Sequence, residues 1–375
     1  MVTLLKTLGV ALLVLVGAGG LWYLTTDEWG GSVTDAERAR WSTLDHYRDG
    51  HFVNRPAPMP AAAVNAQKIS MTAWLTSVLF PPEGKQPRDP LPSVAFDATR
   101  ALRNVPGEVV VTWFGHSTLL LHLDTETILV DPVFTRASPV PLTGKPFATT
   151  NPYRAEHLPK VIDAVLLTHD HYDHLEVATI RAIKDRVGQF YCPLGVGNHL
   201  RAWGIPAERI TELDWDEATH LGTLTVRLTE SRHFSGRTFR SRDTTLWGGY
   251  VIEGSQKLYI SGDGGYGPHF KRIGDTYGPF DLAFMENGAY NAAWAAIHMT
   301  PEESAQAARD VRAARIVPIH WAKFDLAFHP WTEPIERLIK ATVNPQETLL
   351  TPKIGESFLL SESGRVHEPW WRAVK

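Results

Sequence analysis

The stretch Thr168-His169-Asp170-His171-Tyr172-Asp173-His174 decides the fold of this chain. It follows the apolar run Val161–Leu167, which predicts a buried strand that ends in a charged turn. Imidazole nitrogens and carboxylate oxygens are the ligands that divalent metals such as zinc prefer. Because His169 and His171 are two positions apart, an extended backbone points both side chains to the same side. The turn can then direct Asp173 and His174 to a neighbouring position, so the cluster predicts two metal ions rather than one.

A polar turn that is rich in histidine by chance is the structural alternative for this cluster. Motif matches carry a risk of false positives. Four ligand-type residues at this spacing nevertheless favour metal binding over a plain turn.

The composition of the 375-residue chain is that of a globular protein. Its hydrophobic fraction of 43% is sufficient for one large domain or two modest ones. The formal net charge of -4 argues against nucleic-acid binding, which usually involves a basic face. The single cysteine, Cys192, excludes an internal disulfide, and its short apolar strand pattern predicts a buried thiol.

The N-terminus carries a targeting signal. Residues 7–26 are uncharged and form a stretch of about 20 residues, which is the length that spans a bilayer. Lys6 precedes the stretch, and Trp22-Tyr23 at its far end suits a membrane interface. We therefore expect residues 1–26 to anchor the protein in a bacterial inner membrane, with the rest of the chain facing the periplasm. A signal peptide cleaved near Ala18 is the alternative.

Residues 27–105 form an extension ahead of the main domain, which we place at residues 106–360. Within the extension, the charged segment Asp35–Arg48 predicts a surface helix, and Asn54–Pro60 is a proline-rich linker. The apolar segment Ile69–Phe80 predicts a helix that covers the core or, alternatively, an element that contacts lipid or substrate.

From residue 108 onward the pattern predicts strands that alternate with helices. The apolar runs Glu108–Phe114 and Thr118–Leu123, joined by a polar turn, predict a sheet meander. The segment Thr300-Pro301-Glu302-Glu303 has the capping residues that begin a helix, and we expect this helix to run to about Ala314. Ile316–Ile319 then predicts a buried strand. This alternation predicts an α/β sandwich rather than an all-β barrel.

Three further residues with ligand side chains each lie just beyond an apolar strand pattern. They are His233, Asp263 and His320, and the pair Gly264-Gly265 after Asp263 permits a tight turn close to a ligand. Each residue alone would more often have a structural role. Together with the cluster at 169–174, their positions at strand ends indicate one site for two metal ions.

The order of these residues resembles that of a known family. The matching segments lie within residues 100–335 and are, in chain order, Gly115–Thr118, Ile128–Phe134, Ile162–Leu175, Glu212–Trp215, Leu246–Gly249, Gly262–Tyr266, Tyr277–Ala283, Gly288–Tyr290, Pro301–Glu303 and Ile319–Trp321. On these motifs the chain is similar to the metallo-β-lactamase superfamily. Within that superfamily it resembles the N-acyl-phosphatidylethanolamine-hydrolysing phospholipase D group and its bacterial relatives.

The resemblance implies a four-layer αββα fold with two metal ions at the edge between two sheets. It also implies that the ions are zinc, because His171 stands where the oxygen-reducing di-iron branch tends to carry glutamate; other divalent metals stay open. The implied ligand sets are His169, His171 and His233 for one ion and Asp173, His174 and His320 for the other, with Asp263 bridging them.

The same resemblance implies roles for residues around the metals. His298 would lie near the phosphate and stabilise charge or protonate the leaving group, although a histidine that only flanks a helix is the alternative. His116 and Asp131 match positions behind the metals, where we expect them to fix ligand histidines. Three more residues are candidates for contact with an anionic substrate: Arg232, Arg237 and His329.

These expectations lead to a hypothesis of zinc-dependent phosphodiester hydrolysis, with Asp173, Asp263 and His298 as catalytic residues. Two zinc ions lower the pKa of a bound water, so that a hydroxide bridging them would attack the phosphorus. The substrate would be N-acyl-phosphatidylethanolamine, a related phospholipid or a small phosphodiester. A lactone, lactam or sugar phosphate is the alternative substrate class, since the fold hosts many chemistries. A non-catalytic, metal-binding envelope protein is the third hypothesis, and a homodimer stays open.

Overall fold

The structure is a computed structural model that describes residues 17, 19–57, 80, 82–141, 143–365 and 368–375. Most of the predicted anchor at 1–26, and the predicted helix Ile69–Phe80 except for its last residue, lie outside this part of the chain. Among the described residues, no helix combines the length and the apolar character needed to cross a bilayer.

Two β-sheets form the centre of the molecule. The strands are, in chain order, Tyr47–Arg48 (β1), His51–Phe52 (β2), Val110–Trp113 (β3), Leu119–Leu123 (β4), Glu126–Val130 (β5), Ile162–Leu166 (β6), Val187–Pro193 (β7), Ile210–Leu213 (β8), Ala218–Leu221 (β9), Leu224–Thr229 (β10), Gly249–Glu253 (β11), Lys257–Ile260 (β12), Leu282–Glu286 (β13), Ile316–Ile319 (β14) and Ser357–Leu359 (β15). A seven-stranded sheet has the order β15-β3-β4-β5-β6-β7-β8, and a six-stranded sheet has the order β14-β13-β12-β11-β10-β9.

The strand pairing explains where each sheet places its loops. Strands β3, β4 and β5 form the predicted antiparallel meander. Strands β5 to β8 are parallel to one another, and so are β12 to β14. Parallel strands need long crossover connections, which leave room for helices and for functional loops beyond the carboxyl ends of the strands.

Strand residues alternate between two hydrophobic cores because both faces of the seven-stranded sheet are covered. Leu121 and Leu166 belong to the core that also contains residues of the six-stranded sheet. Their neighbours Leu120 and Val165 belong to the second core, which includes residues of the helix Val177–Ile183. Burial on both faces is why these strands are mainly apolar rather than alternating between apolar and polar residues.

Helices lie on the outer faces of the sheets. The α-helices are Asp35–Trp41, Ala98–Ala101, Val177–Ile183, Gly197–Ala202, His269–Tyr277, Pro301–Asp310, Glu333–Ala341 and Pro345–Thr348. Short 3-10 helices are Asp27–Trp29, Ala155–His157, Lys184–Arg186, Ala207–Arg209, Ala292–Trp294, Leu360–Arg365 and Trp370–Ala373. The mixed α/β class predicted from the sequence is therefore confirmed.

The predicted cap of the helix Pro301–Asp310 is present. Thr300 accepts a hydrogen bond from the backbone N–H of Glu303, whose carboxylate accepts one from Thr300 in return. The helix ends four residues before the predicted end at Ala314, and the strand predicted at Ile316–Ile319 follows. Cys192 is buried, as expected.

The N-terminal extension packs on the main body through aromatic side chains. Trp41 and Phe52 are buried in the core shared by the two sheets. The predicted helix over 35–48 was wrong beyond Trp41, because β1 and β2 form a hairpin there. The hairpin turn is Asp49-Gly50, with φ of 52° and 84°, and Asp-Gly is a strong signal for this kind of turn.

The C-terminal residues pack behind the same sheets. Trp370 and Trp371 are buried, and their rings lie 5.7 Å from that of Trp321. Trp321 directly follows the predicted metal ligand His320. Residues beyond the predicted boundary at 360 therefore support the loop that carries a ligand.

Candidate functional site

The predicted metal ligands come together at one edge of the sandwich, where their strands end. The cluster at 169–174 follows β6, and Asp263 and His320 follow β12 and β14. His233 lies in the loop after β10. Because the carboxyl ends of parallel strands meet at the same edge of a sheet, this arrangement follows from the strand order.

Three imidazoles converge at the first position. The Nδ1 atom of His171 lies 2.8 Å from Nε2 of His169 and 3.2 Å from Nε2 of His233. A tetrahedral zinc ion with Zn–N bonds of about 2.0–2.1 Å separates its ligand nitrogens by roughly 3.3 Å, close to this spacing. Burial, together with the neighbouring histidines, lowers the pKa of His169 and of His233 well below the ordinary value. The rings are therefore neutral, which is the form that binds metal.

A second group lies next to the first. Oδ2 of Asp173 is 3.4 Å from Nε2 of His320 and 3.6 Å from Nε2 of His174. Both of these nitrogens are buried and make no well-aligned hydrogen bond to any described residue. Buried polar atoms seldom lack a partner. The orphaned atoms and the donor set therefore fit a metal ion.

Asp263 lies between the two groups. Its Oδ2 atom is 2.9 Å from Nε2 of His320 and 3.1 Å from Nε2 of His174. The same atom is 3.9 Å from Nε2 of His233 and 4.0 Å from Nε2 of His169. Its other oxygen, Oδ1, is buried and has no hydrogen-bond partner in the described part of the chain. One carboxylate thus faces both sets of imidazoles.

The carboxylates of the second group favour a positive charge between them. Burial opposes protonation of its histidines, but the carboxylate of Asp263, supported by that of Asp173, outweighs burial. The pKa of His174 is raised well above its ordinary value, and that of His320 is raised to about 10. A bound cation would satisfy the same carboxylates.

Two glycines allow the backbone to close around the site. Gly262 has a φ of 60°, and a Cβ atom there would lie 2.4 Å from the carbonyl oxygen of Gly248. A Cβ atom on Gly288 would lie 1.9 Å from the carbonyl oxygen of His320. A larger residue at either position would therefore displace the loop that carries Asp263 or the one that carries His320.

Three other residues of the site hold the left-handed backbone conformation without being glycine. The φ values are 52° for His116, 41° for Asp131 and 66° for His320. Such conformations cost on the order of 1–3 kcal/mol each and tend to occur at functional sites. The strain is consistent with selection for the site rather than for stability.

The residues predicted to lie behind the metals make the expected contacts. The carboxylate of Asp131 accepts hydrogen bonds from Nδ1 of His174 at 2.8 Å and from the backbone N–H of Thr168 at 2.8 Å. Nε2 of His116 lies 3.1 Å from Oδ2 of Asp173. A fixed Nδ1–H on His174 leaves its Nε2 lone pair for a metal.

Glu286, which the sequence did not single out, contacts His298. The carboxyl group of Glu286 is fully buried at the end of β13 and pairs with Nδ1 of His298. Burial raises the pKa of Glu286, and the neighbouring His298 limits the rise. The ring of His298 lies 5.1 Å from that of His233 and 5.4 Å from that of His320. An acidic residue at the end of an apolar strand was the signal available for Glu286.

Asp170 is a second residue whose role the sequence left unassigned. Its carboxylate accepts hydrogen bonds from the backbone N–H of Gly236 at 2.7 Å and from Oγ1 of Thr245 at 2.9 Å. Burial opposes its charge, but His199, 3.2 Å away, together with His171 and the N–H of Gly236, lowers the pKa of Asp170 below its ordinary value. Asp170 thereby ties the ligand cluster to the loop that follows His233.

The prediction that Arg237 contacts a substrate was wrong. Its guanidinium is buried and donates at 2.8 Å to the backbone carbonyls of Glu28, Asp170 and Leu175. The side chain is therefore a bridge between the extension and the ligand cluster. Proximity to His233 in sequence did not reveal this, because all three acceptors are more than 60 positions away.

The other two candidates for substrate contact stay predictions. His329 stacks on Tyr290 with ring centres 4.4 Å apart, and it lines a small cavity together with His116 and His320. Arg232 is half-buried, and burial lowers the pKa of its guanidinium.

Comparison with known proteins agrees with this geometry. A family model described as a beta-lactamase superfamily domain matches residues 126–321, which include all the predicted ligands. The chain belongs to the beta-lactamase superfamily. As a member, it is a metal-dependent hydrolase.

Relatives and solved structures extend the comparison. An uncharacterized protein of Mycobacterium tuberculosis is 39% identical over 365 residues, which cover 95% of this chain and 96% of that protein. The N-acyl-phosphatidylethanolamine-hydrolyzing phospholipase D 1 of Caenorhabditis elegans is 30% identical over 72% of this chain and 81% of its own length. An isothiocyanate hydrolase from Delia radicum gut bacteria shares the fold, with a TM-score of 0.53 and 22% identity over 66% of this chain and 98% of its own.

Proposed function

We propose that this metal-dependent hydrolase is a zinc phosphodiesterase of phospholipase D type that cleaves N-acyl-phosphatidylethanolamine or a related phospholipid. The observation that carries the proposal is Asp263, whose one carboxylate oxygen faces both groups of imidazoles. Two adjacent metal positions suit phosphodiester chemistry, because a pair of cations neutralises a phosphate and holds it for attack. The similarity to the phospholipase D of Caenorhabditis elegans supports the choice of substrate.

We assign two zinc ions to the two groups. Residues His169, His171 and His233 would hold one ion, and Asp173, His174 and His320 would hold the other, with Asp263 shared. Bound zinc supplies a Lewis acid and a water that is nucleophilic at neutral pH. Two hydrogen bonds fix the orientation of ligand rings. Asp131 accepts from Nδ1 of His174, and the carbonyl of Ile297 accepts from Nδ1 of His233 at 2.9 Å.

His298 is the residue that we propose to move a proton. Its Nδ1 atom is engaged by the buried carboxyl group of Glu286, so Nε2 is the atom that can donate. Donation to the departing alkoxide oxygen would avoid the expulsion of an unprotonated leaving group. His298 thus completes hydrolysis in this proposal, and Glu286 orients it.

The membrane location belongs to the same proposal. The end of the uncharged N-terminal stretch is helical over residues 19–25, and Leu21 and Leu24 are 64% and 81% exposed there. Exposed leucines at the end of an apolar stretch favour contact with lipid. We therefore retain the prediction of an inner-membrane protein with its main domain in the periplasm. Fractionation of cells that express the full chain tests it, and recovery in the soluble cytoplasmic fraction would refute it.

The decisive experiment is product analysis with the full chain, purified in detergent, after its metal content has been counted. The protein would be incubated with N-acyl-phosphatidylethanolamine and with plain phosphatidylethanolamine, and the products read by mass spectrometry. The proposal expects about two zinc ions per chain. It also expects phosphatidic acid together with the N-acylethanolamine, formed with the uptake of one water.

Two variants make the result specific to the site. Asp263→Ala should lose zinc and turnover, whereas Asp185→Ala, which removes an exposed carboxylate elsewhere, should retain both. Full turnover by Asp263→Ala would contradict the assigned mechanism. Two zinc ions without cleavage of any phospholipid would contradict the substrate and favour a small cyclic ester or a sugar phosphate.

A further inference from the structure

A cavity of about 320 Å³ lies beside the metal site and contains none of the assigned ligands. Its wall is mainly apolar and includes Phe114, Phe134, Phe147, Tyr153 and Ile354. Phe147 and Ala322 also line the small cavity that His116 and His320 border, so the two cavities adjoin. The volume is at the lower end of the usual range for ligand pockets, about 300–1,000 Å³.

One charged side chain lines this apolar cavity. Lys323 is only 7% exposed, and its Nζ atom lies 3.5 Å from Oγ1 of Thr118 and 5.1 Å from the ring centre of Phe134. Within the described residues, no carboxylate lies within 4.0 Å of this ammonium group. An ammonium group in apolar surroundings is costly unless it is paired.

The acidic group that attracts Lys323, Glu176, is already engaged. Glu176 acts on Lys323 only through longer-range attraction. Its Oε2 atom accepts hydrogen bonds from the backbone N–H of Phe134 at 2.9 Å and of Thr135 at 3.1 Å, and its Oε1 atom accepts from the N–H of Arg136 at 3.0 Å. Glu176 thus orders the loop after β5, and within the described part of the chain no carboxylate pairs directly with Lys323.

We propose that this cavity binds a small amphiphile through its anionic end, with Lys323 as the counter-ion and the aromatic wall around the apolar chain. The combination of one buried cation and an otherwise apolar wall matches a ligand with one charge and one hydrocarbon body. Burial lowers the pKa of Lys323 to about 7, because apolar surroundings disfavour the ammonium form. The proposal does not depend on which phosphodiester the metal site cleaves.

Calorimetric titration of the full zinc-loaded chain with octanoate tests this proposal, with octanol as the uncharged analogue. Lys323→Met should weaken octanoate binding about tenfold or more, the effect of a lost hydrogen bond to a charged group. It should leave octanol binding unchanged. Lys145→Met, which removes an exposed lysine from the neighbouring loop, should match the wild type with both probes.

Inorganic phosphate separates an amphiphile site from a plain anion site. Phosphate cannot fill the apolar cavity and can bind at the metal pair, so its affinity should be the same for Lys323→Met and the wild type. A loss of phosphate binding in Lys323→Met as large as the loss of octanoate binding would overturn the proposal. So would equal affinity of Lys323→Met and the wild type for octanoate, which would assign the carboxylate to the metal centre.

A second variant tests the cavity in case Lys323→Met does not fold. Methionine is similar to lysine in length and apolar, so Lys323→Met is expected to fold with an unchanged or higher Tm. If it does not fold, Ala148→Trp tests the cavity from its exposed rim. This variant should weaken octanoate and octanol alike, and undiminished binding of both probes would overturn the proposal. Because octanoate is not hydrolysed, none of these results depends on the proposed reaction.

Discussion

Replacing Asp131 with asparagine tests the metal site through a residue that is not itself an assigned ligand. The carboxylate of Asp131 receives three hydrogen bonds: Oδ1 accepts from the backbone N–H of Thr168, and Oδ2 accepts from Oγ1 of Thr168 and Nδ1 of His174. All three donors are buried. An asparagine has only one oxygen, so its NH₂ group must face either the N–H of Thr168 or the donors at Oδ2.

The expected loss can be worked out from these contacts. If the amide oxygen faces His174, the NH₂ group opposes the backbone N–H of Thr168, and the loop that leads to the ligand cluster shifts. If the amide oxygen instead faces the backbone N–H of Thr168, Nδ1 of His174 loses its acceptor and the ring of His174 loses its fixed orientation. Loss of such a supporting contact typically weakens metal binding 10- to 100-fold, or about 1.4–2.7 kcal/mol.

The assay is zinc content after dialysis against a graded series of chelator concentrations. Asp131→Asn should release one zinc ion at a chelator level about 10 to 100 times lower than the wild type, and the ion assigned to His169, His171 and His233 should stay. Asp163→Asn is the matched control, since Asp163 lies at the other end of β6 and accepts from a backbone N–H at 2.7 Å. Identical release curves for Asp131→Asn and the wild type would refute the reasoning.

Three further outcomes are expected. Arg237→Met should lower the free energy of unfolding in urea by about 3–5 kcal/mol, because three buried carbonyls lose a charged donor. The control is Arg242→Met, which removes an exposed arginine. An effect of Arg237→Met no larger than that of the control would contradict this role. Burial opposes protonation of His46, but hydrogen bonds to Asp214 and Asp45 outweigh it and raise its pKa above 6.5. Its contribution to stability is then complete at pH below 6.5 and is lost as pH rises through the raised pKa, so the stability difference between the wild type and His46→Gln should shrink as pH rises above 6.5. A difference that grows over that range would exclude this role. Removal of zinc with a chelator should lower Tm, because a metal at 100 times its Kd adds about 2.7 kcal/mol to the free energy of unfolding. An unchanged Tm would show that the folded chain holds no metal.

Several features of this protein were accessible from local sequence. The strand ends at β6, β12 and β14 and the cap at Thr300 are set by neighbouring residues, so apolar runs and capping patterns located them. The spacing of the ligand-type residues predicted the metal site, and the family was recognised from the resemblance of the motifs around them. The hairpin turn at Asp49-Gly50 is also set by neighbouring residues. Its Asp-Gly signal is present in the sequence next to the segment for which a helix was predicted.

Only the tertiary structure decided what the other charged side chains do. Arg237 and Arg232 both lie near His233 in sequence, yet Arg237 is buried against carbonyls that distant segments supply. Lys323 lies three positions after His320, but its apolar cavity is formed by the loops after β3 and β5 and by residues 146–153. The physical reason is that a strand end depends on its neighbours in the chain, whereas the burial and partners of a charged group depend on segments that meet only after folding.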